Sequence, residues 1–166
     1  MMKYTIVKKE AFYVLEKVER HSLENGENLK TVPAFWDRAN EDGTVDNLLS
    51  LASDKTYVFG ICYGEIAKDK TFPYSIGVEC GEGTVVENGF RKNLIPASTW
   101  AVFECKGAMP GAIQETWKKI YTEFFPNAEY EPTKEVDIEA YPDGDVDSPD
   151  YQCEIWIPVV KKGEVF

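Results

Sequence analysis

Apolar residues recur along the chain with two different spacings, which together predict a protein of mixed helices and strands. A spacing of three and four residues marks one face of a helix, and a spacing of two marks one face of a strand. The strand-like stretches span residues 4–18, 57–63, 72–80, 94–105, 136–141 and 151–160. The helix-like stretches span residues 29–39, 45–52 and 110–126. The predicted order is strand, helix, strand and strand, repeated once.

The helical stretches carry recognisable boundaries. In the first, Thr31 is placed to cap the helix, and Pro33 then falls in the first turn, where a missing N–H costs little. The last begins at Pro110 and ends at Pro126. Its apolar stripe consists of Ile113, Trp117, Ile120, Tyr121 and Phe124.

This order predicts an α+β fold, with one antiparallel sheet and the helices on one face. The short connections at residues 64–71 and 142–150 suit hairpins, whereas parallel pairing needs long crossovers. We expect residues 1–166 to form one domain in which residues 1–80 and 94–160 superpose as β-α-β-β units. The junction of these halves is the predicted cleft.

Charge excludes several classes of partner. The chain has 166 residues and a formal net charge of −11, which repels phosphate backbones and anionic membranes. We therefore expect neither direct nucleic-acid binding nor membrane binding. Residues 129–154 hold ten acidic side chains and one lysine, so most of the field comes from this stretch. It is suited to a solvated face, to steering cations or to contact with a basic protein.

The cysteines give no sign of a metal or redox site. Cys62, Cys80, Cys105 and Cys153 fall in separate strand-like runs without a C-x-x-C pair, and the chain has one histidine. We expect all four to be reduced and too far apart to bridge. The acidic loop at 142–149 lacks the twelve-residue calcium pattern. No metal or cofactor is expected, and the polar amino terminus favours the cytoplasm.

Glu154 is an unusual residue because it interrupts an apolar, strand-like run. Alternation places Glu154 and Trp156 on one face and Cys153, Ile155 and Ile157 on the other. Glu154 either points to solvent from a one-sided sheet or lies in an aromatic cleft, where desolvation would raise its pKa. Strand alternation alone does not choose between these two interpretations.

Several segments occur in an order that resembles a known family. They are PAFW at 33–36, YVFGICYG at 57–64, PASTWAVF at 96–103, GAMP at 107–110, WKKIY at 117–121, FP at 125–126, EAYPDGD at 139–145 and YQCEIWIPV at 151–159. Together they resemble the GyrI-like small-molecule-binding family, also called the AraC-type or bacterial regulator effector-binding domain. The resemblance covers residues 1–161.

The resemblance implies a duplicated β-α-β-β module whose halves frame a cleft for hydrophobic, often cationic compounds. It also implies a buried acidic group in the last strand, which is the position of Glu154. The candidate walls of the cleft are Trp36, Tyr63, Trp100, Phe103, Trp117, Tyr121 and Trp156. Many relatives carry a DNA-binding region, so a chain of this length is expected to regulate transcription only through a partner protein.

Three functions stay open at this point. The first is a non-catalytic binder that senses, sequesters or carries an amphipathic cation, with aromatic faces and one carboxylate. The second is a small hydrolase in which Glu154 is the general base and Tyr63 or Tyr121 the donor. The third is a protein-interaction module that uses the acidic stretch. Ligand-dependent melting, turnover and salt-sensitive association distinguish them.

Overall fold

A computed structural model of the chain describes residues 2–86 and 89–163. Within these residues the strands are β1 (Tyr4–Lys9), β2 (Phe12–Ser22), β3 (Asp54–Tyr63), β4 (Thr71–Cys80), β5 (Arg91–Ile95), β6 (Ser98–Lys106), β7 (Tyr130–Pro132), β8 (Val136–Pro142) and β9 (Gln152–Lys161). The helices are α1 (Asn28–Glu41), α2 (Thr44–Leu51) and α3 (Gly111–Lys119). A π-helical turn (Ile120–Phe124) and a 3₁₀ turn (Phe125–Asn127) follow α3 directly. In the described part of the chain, no helix is both long and apolar enough to cross a membrane.

The described strands form one antiparallel sheet in the order β1-β6-β9-β8-β3-β4-β2-β5, and β7 pairs with the end of β9. This arrangement confirms the predicted α+β fold. The strand order is symmetric. Exchanging β1 with β5, β2 with β6, β3 with β8 and β4 with β9 gives the same order read from the other end of the sheet. The superposition of residues 1–80 on 94–160 stays a prediction.

Two predicted strands are each divided into two in the structure. The stretch predicted at 4–18 forms β1 and β2, and the stretch predicted at 94–105 belongs to β5 and β6. Each pair is joined by two residues, 10–11 and 96–97, although its members lie toward opposite ends of the sheet. Because two connecting residues let the strand ends lie at most about 11 Å apart, the sheet must curl until its two ends approach one another.

The two faces of the sheet are buried by different means. On one face, α1 and α2 cover a cluster around Phe35 and Ile76, and α3 covers a cluster around Phe103 and Ile155. The opposite face has a cluster made only of strand residues, including Trp100. The curled sheet buries this cluster by folding over it.

The start of α1 corrects the prediction for Thr31 and Pro33. The helix begins at Asn28, so Thr31 is inside it and forms a hydrogen bond with Nδ1 of His21 at 2.8 Å instead of capping the helix. Pro33 is the sixth residue and removes the N–H that would pair with the carbonyl of Leu29. That carbonyl accepts a hydrogen bond from Nε2 of Gln114 on α3, at 3.1 Å.

The prediction that all four cysteines lie far apart is wrong for one pair. All four are free thiols, but Cys105 on β6 and Cys153 on β9 are direct partners across the sheet. The prediction failed because residues far apart in sequence become neighbours when β6 and β9 pair. Cys62 and Cys80 have no cysteine as a strand partner among the described residues.

Candidate functional site

The carboxylate of Glu139 lies where the two halves of the sheet meet. The apolar members of β8 pack into the cluster away from the helices, so alternation turns Asp137, Glu139 and Tyr141 toward the helices. Strand β8 pairs with β3 at the centre of the strand order, with Glu139 opposite Gly60. Glu139 therefore occupies the junction that was predicted to form the cleft.

Three side chains donate hydrogen bonds to this carboxylate. The indole Nε1 of Trp117 on α3 donates to Oε2 at 2.7 Å. The hydroxyls of Tyr74 and Tyr141 donate to Oε1 at 2.8 and 3.1 Å. Trp36 on α1 donates its Nε1 to the Tyr74 hydroxyl at 2.9 Å, so both halves of the chain contribute to one network.

The network requires a glycine on the neighbouring strand. A Cβ atom at Gly60 would lie 2.1 Å from the Tyr74 hydroxyl and 2.8 Å from Oε1 of Glu139. Both distances are shorter than van der Waals contact. The missing side chain at Gly60 therefore makes the space in which the tyrosine reaches the carboxylate.

Burial dominates the electrostatics of the two carboxyl groups at this site. Burial raises the pKa of Glu139, while the hydrogen bonds from Trp117, Tyr74 and Tyr141 oppose the rise. Burial also raises the pKa of Asp137 to about 7, and the charge of Glu139 adds to this effect. In the described part of the chain, no basic side chain forms an ion pair with either group. A bound cation would stabilise the ionised form of both.

Aromatic rings surround this carboxylate. Trp36 packs edge-on against Tyr141 with ring centroids 5.0 Å apart, and Trp117 stacks on Tyr121 at 6.2 Å. Tyr121 is 43% exposed, and Glu139 itself keeps some exposure to solvent. The arrangement places aromatic faces next to a partly buried carboxylate, and both attract a positive charge.

The structure divides the predicted site residues into separate groups and does not gather them in one cleft. Trp36, Trp117 and Tyr121 lie at the Glu139 site on the helical face. Phe103 is fully buried beneath α3, and Trp100 is fully buried in the strand-only cluster. Because neighbouring strand positions point to opposite faces, residues that are close in sequence separate here.

Glu154, Trp156 and Tyr63 face away from the helices. Tyr57 and Trp156 donate hydrogen bonds to Oε1 of Glu154 at 3.2 and 3.0 Å. Tyr63 donates its hydroxyl to Glu16, a fully buried carboxylate. The general base and the donors of the hydrolase hypothesis therefore do not converge.

Glu154 does border open space. It lines one cavity of about 550 Å³ and a second of about 310 Å³, and Tyr57 lines both as well. The ammonium of Lys9 lies 4.3 Å from the ring centre of Trp156, beside the smaller cavity. This side of the sheet thus combines a carboxylate and aromatic rings with a cation supplied by the chain itself.

Sequence reasoning missed Glu139, Tyr74, Tyr141 and Asp137 as candidate site residues. The signal for three of them was present in the alternation of residues 136–141, where polar and apolar side chains exchange at every position. The same alternation is typical of any strand with one solvent-exposed face, so it does not by itself indicate a binding site. The polar side chains of β8 come to lie between α1 and α3 because β8 pairs with β3, and the sequence does not show this pairing.

Comparison with known proteins identifies the family. The family model described as Cass2, integron-associated effector binding protein, matches residues 5–159. The chain belongs to this family. It is an effector-binding domain of the GyrI-like type, as the sequence resemblance implied, and it is related to ligand-binding regulators.

Relatives of this effector-binding domain are consistent with the assignment. The transcriptional regulator BrlR of Pseudomonas aeruginosa is 33% identical over 109 residues, which are 64% of this chain and 39% of the regulator. The chain thus spans well under half of that relative. SAV2435, solved with tetraphenylphosphonium bound, has 22% identity and a TM-score of 0.84 over 96% of this chain and 94% of its own. A transcription regulation protein of Staphylococcus aureus MU50 has 26% identity and a TM-score of 0.76 over 96% and 99% of the chains.

Proposed function

We propose that this effector-binding domain binds a hydrophobic organic cation between α1 and α3, against the carboxylate of Glu139. The observation that carries the proposal is a carboxylate that accepts hydrogen bonds from three neutral donors, with Asp137 beside it. Among the described residues, no basic side chain is paired to it. Ionised carboxylates away from water are costly unless a positive charge accompanies them. A cationic ligand would supply this positive charge, and its attraction to the carboxylate would favour binding.

The surrounding rings select for apolar cations over hydrated ones. Trp36, Trp117 and Tyr121 supply aromatic faces, which attract a positive charge and bury apolar surface. A small inorganic cation would gain little from these faces. The tetraphenylphosphonium bound to SAV2435 is a ligand of the class that the Glu139 site suits, and this supports the choice of probe.

The test is the substitution Glu139→Gln, measured by calorimetry with tetraphenylphosphonium and with neutral triphenylphosphine oxide. Tetraphenylphosphonium carries no hydrogen-bond donor, so the carboxylate attracts it by charge alone. We expect the affinity for the cation to fall about 10- to 100-fold, the size of a charge–charge attraction across roughly 6–10 Å at an effective dielectric constant near 20. The neutral compound should lose about threefold or less, because its binding depends mainly on apolar contact. The amide keeps an acceptor for the two tyrosines, and thermal unfolding verifies that the variant is folded.

The matched control is Glu154→Gln, which makes the same substitution on the opposite face. If tetraphenylphosphonium binding depends on Glu154 and not on Glu139, the proposed location is wrong. The anchor would then be the residue that the family resemblance indicated, at the cavities beside Tyr57. If neither substitution changes the affinity for the cation, the carboxylate mechanism is wrong at both positions.

A further inference from the structure

Cys105 and Cys153 face each other across the β6–β9 pair, on the side covered by α3. The backbone N–H of Gly107 donates to the carbonyl of Tyr151 at 2.8 Å, so residues 107 and 151 form a hydrogen-bonded pair. Cys105 and Cys153 lie two positions along each strand and are a pair of the same type. Such pairs have Cα atoms about 5.5 Å apart, within the range of about 4.4 to 6.8 Å that a disulfide spans. Their Cβ atoms lie toward the upper end of about 4.5–5.5 Å, so closing a disulfide would draw them about 1 Å closer, to its usual distance of about 3.5–4.5 Å.

Both thiols are buried, at 2% and 3% exposed, and both border a cavity. It is the cavity of about 550 Å³ described above, whose lining includes Glu154 on one face of the sheet and Thr116 on the α3 side. The hydroxyl of Thr116 on α3, which donates to the carbonyl of Ala112 at 2.8 Å, lies 3.3 Å from Sγ of Cys105. The thiol of Cys105 thus lies next to both this hydroxyl and the cavity.

The two thiols have different acidities. The neighbouring Cys153 thiol lowers the pKa of Cys105, Thr116 adds to this effect, and burial opposes it. The pKa of Cys153 is raised. Burial raises the pKa of Cys62 to about 12 and also raises that of Cys80. Cys105 is thus the thiol best suited to act as a nucleophile, since the thiolate is the reactive form.

We propose that Cys105 and Cys153 form a reversible cross-strand disulfide by exchange with a low-molecular-weight disulfide. The thiolate of Cys105 attacks one sulfur of the reagent, whose S–S bond breaks, and one reagent thiolate leaves and takes up a proton. The thiol of Cys153 then loses its proton and attacks Sγ of Cys105, which releases the second reagent thiol. Two protein thiols are oxidised and one reagent disulfide is reduced.

The site differs from the ligand site of Glu139 and does not depend on it. The disulfide would join β6 and β9, which already pair, so it would not bring together parts of the fold that are otherwise apart. Strands held in a fixed register leave little freedom to relax the bridge, and constrained disulfides are the more easily reduced ones. This modification site therefore suits a response to oxidising conditions more than permanent stabilisation.

The test uses the full chain in its folded state with 2-hydroxyethyl disulfide, a small neutral reagent. Mass spectrometry should show the loss of two hydrogen atoms and a peptide that links Cys105 to Cys153, and dithiothreitol should reverse both. Cys153→Ser should stop at the mixed disulfide on Cys105, and Cys105→Ser should show neither product. The double variant Cys62→Ser, Cys80→Ser is the matched control and should form the bridge at the wild-type rate.

Circular dichroism establishes that each variant is folded before the reaction. A bridge that forms only in urea would overturn the proposal, because the folded register would then be unable to close it. A link that involves Cys62 or Cys80 in the folded protein would also overturn it. So would a folded wild-type chain that keeps four free thiols in reagent excess.

Discussion

Glu16 and Glu139 are two enclosed carboxylates whose surroundings differ in one respect. Glu16 is fully buried, accepts hydrogen bonds from Tyr63 and Ser75, and pairs with the guanidinium of Arg91 at 2.7 Å. Among the described residues, Glu139 accepts hydrogen bonds only from neutral side chains. The charge of Glu16 is thus compensated by Arg91 and fits a structural role, whereas no basic side chain in the same part of the chain pairs with Glu139.

Asp137 permits a test of the site without any ligand. Its native pKa of about 7 lies above the value near 3.9 of an unfolded chain. Because the native pKa is raised, its contribution to stability is present in full below about pH 4 and is lost as the pH rises through about 7. Asp137→Asn should therefore be more stable relative to wild type at pH 8 than at pH 4.5, by on the order of 1–3 kcal/mol.

Urea unfolding of both proteins at the two pH values measures this difference. Asp147→Asn is the control, because Asp147 is an exposed member of the acidic loop. Its stability should follow that of the wild type at both pH values. Parallel stability curves for Asp137→Asn and wild type would show that Asp137 titrates normally.

At the scale of the elements, the sequence pattern predicted individual helices and strands, but it did not predict which strands pair. The stripe of α3 and the alternation of β8 were visible in the sequence, and both elements are present. The breaks at residues 10–11 and 96–97 were not predicted, because they follow from strands changing partners across a curled sheet. The position of Glu139 was hidden for the same reason: Trp36 and Trp117 were named from the sequence, but the carboxylate between them is placed by β3–β8 pairing.

Gly60 on β3 tests how closely the elements must approach. We expect Gly60→Ala to displace the Tyr74 hydroxyl, since a Cβ atom there would lie 2.1 Å from it. The variant should lose about 1–3 kcal/mol of stability, as overpacked sites do, and should bind tetraphenylphosphonium more weakly. Urea unfolding and calorimetry measure the two effects.

The control is Gly81→Ala, where the nearest atom to the added Cβ lies 3.7 Å away, in ordinary contact. It should leave stability within about 0.5 kcal/mol of wild type. If Gly60→Ala also changes stability by no more than about 0.5 kcal/mol, Tyr74 can move away at little cost, and its hydrogen bond to Glu139 does not depend on the space at Gly60.

At the scale of the whole molecule, net charge acts before any contact forms. A formal charge of −11 attracts cations at distances set by ionic strength, and the screening length falls from about 30 Å at 0.01 M salt to about 8 Å at 0.15 M. The association rate of tetraphenylphosphonium should therefore fall severalfold between these salt concentrations. Stopped-flow measurement with the intrinsic tryptophan fluorescence would follow it.

Triphenylphosphine oxide serves as the neutral control and should associate at nearly the same rate in both salts. The Glu139→Gln variant should keep most of the salt dependence, because one charge among many sets little of the long-range field. An equal response of the neutral compound to salt would mean that salt changes the protein and not the attraction.

The hydrogen bond from Gln114 to the carbonyl of Leu29 makes one backbone atom of α1 dependent on the position of α3. With alanine in place of Pro33, the backbone N–H at that position would satisfy the carbonyl within α1, and the helices would no longer need this hydrogen bond. With proline, separation leaves the oxygen to water, at a net cost of about 0.5–1.5 kcal/mol for an exposed bond. Pro33 thus links the distance between α1 and α3 to a single hydrogen bond, which water replaces when the two helices separate.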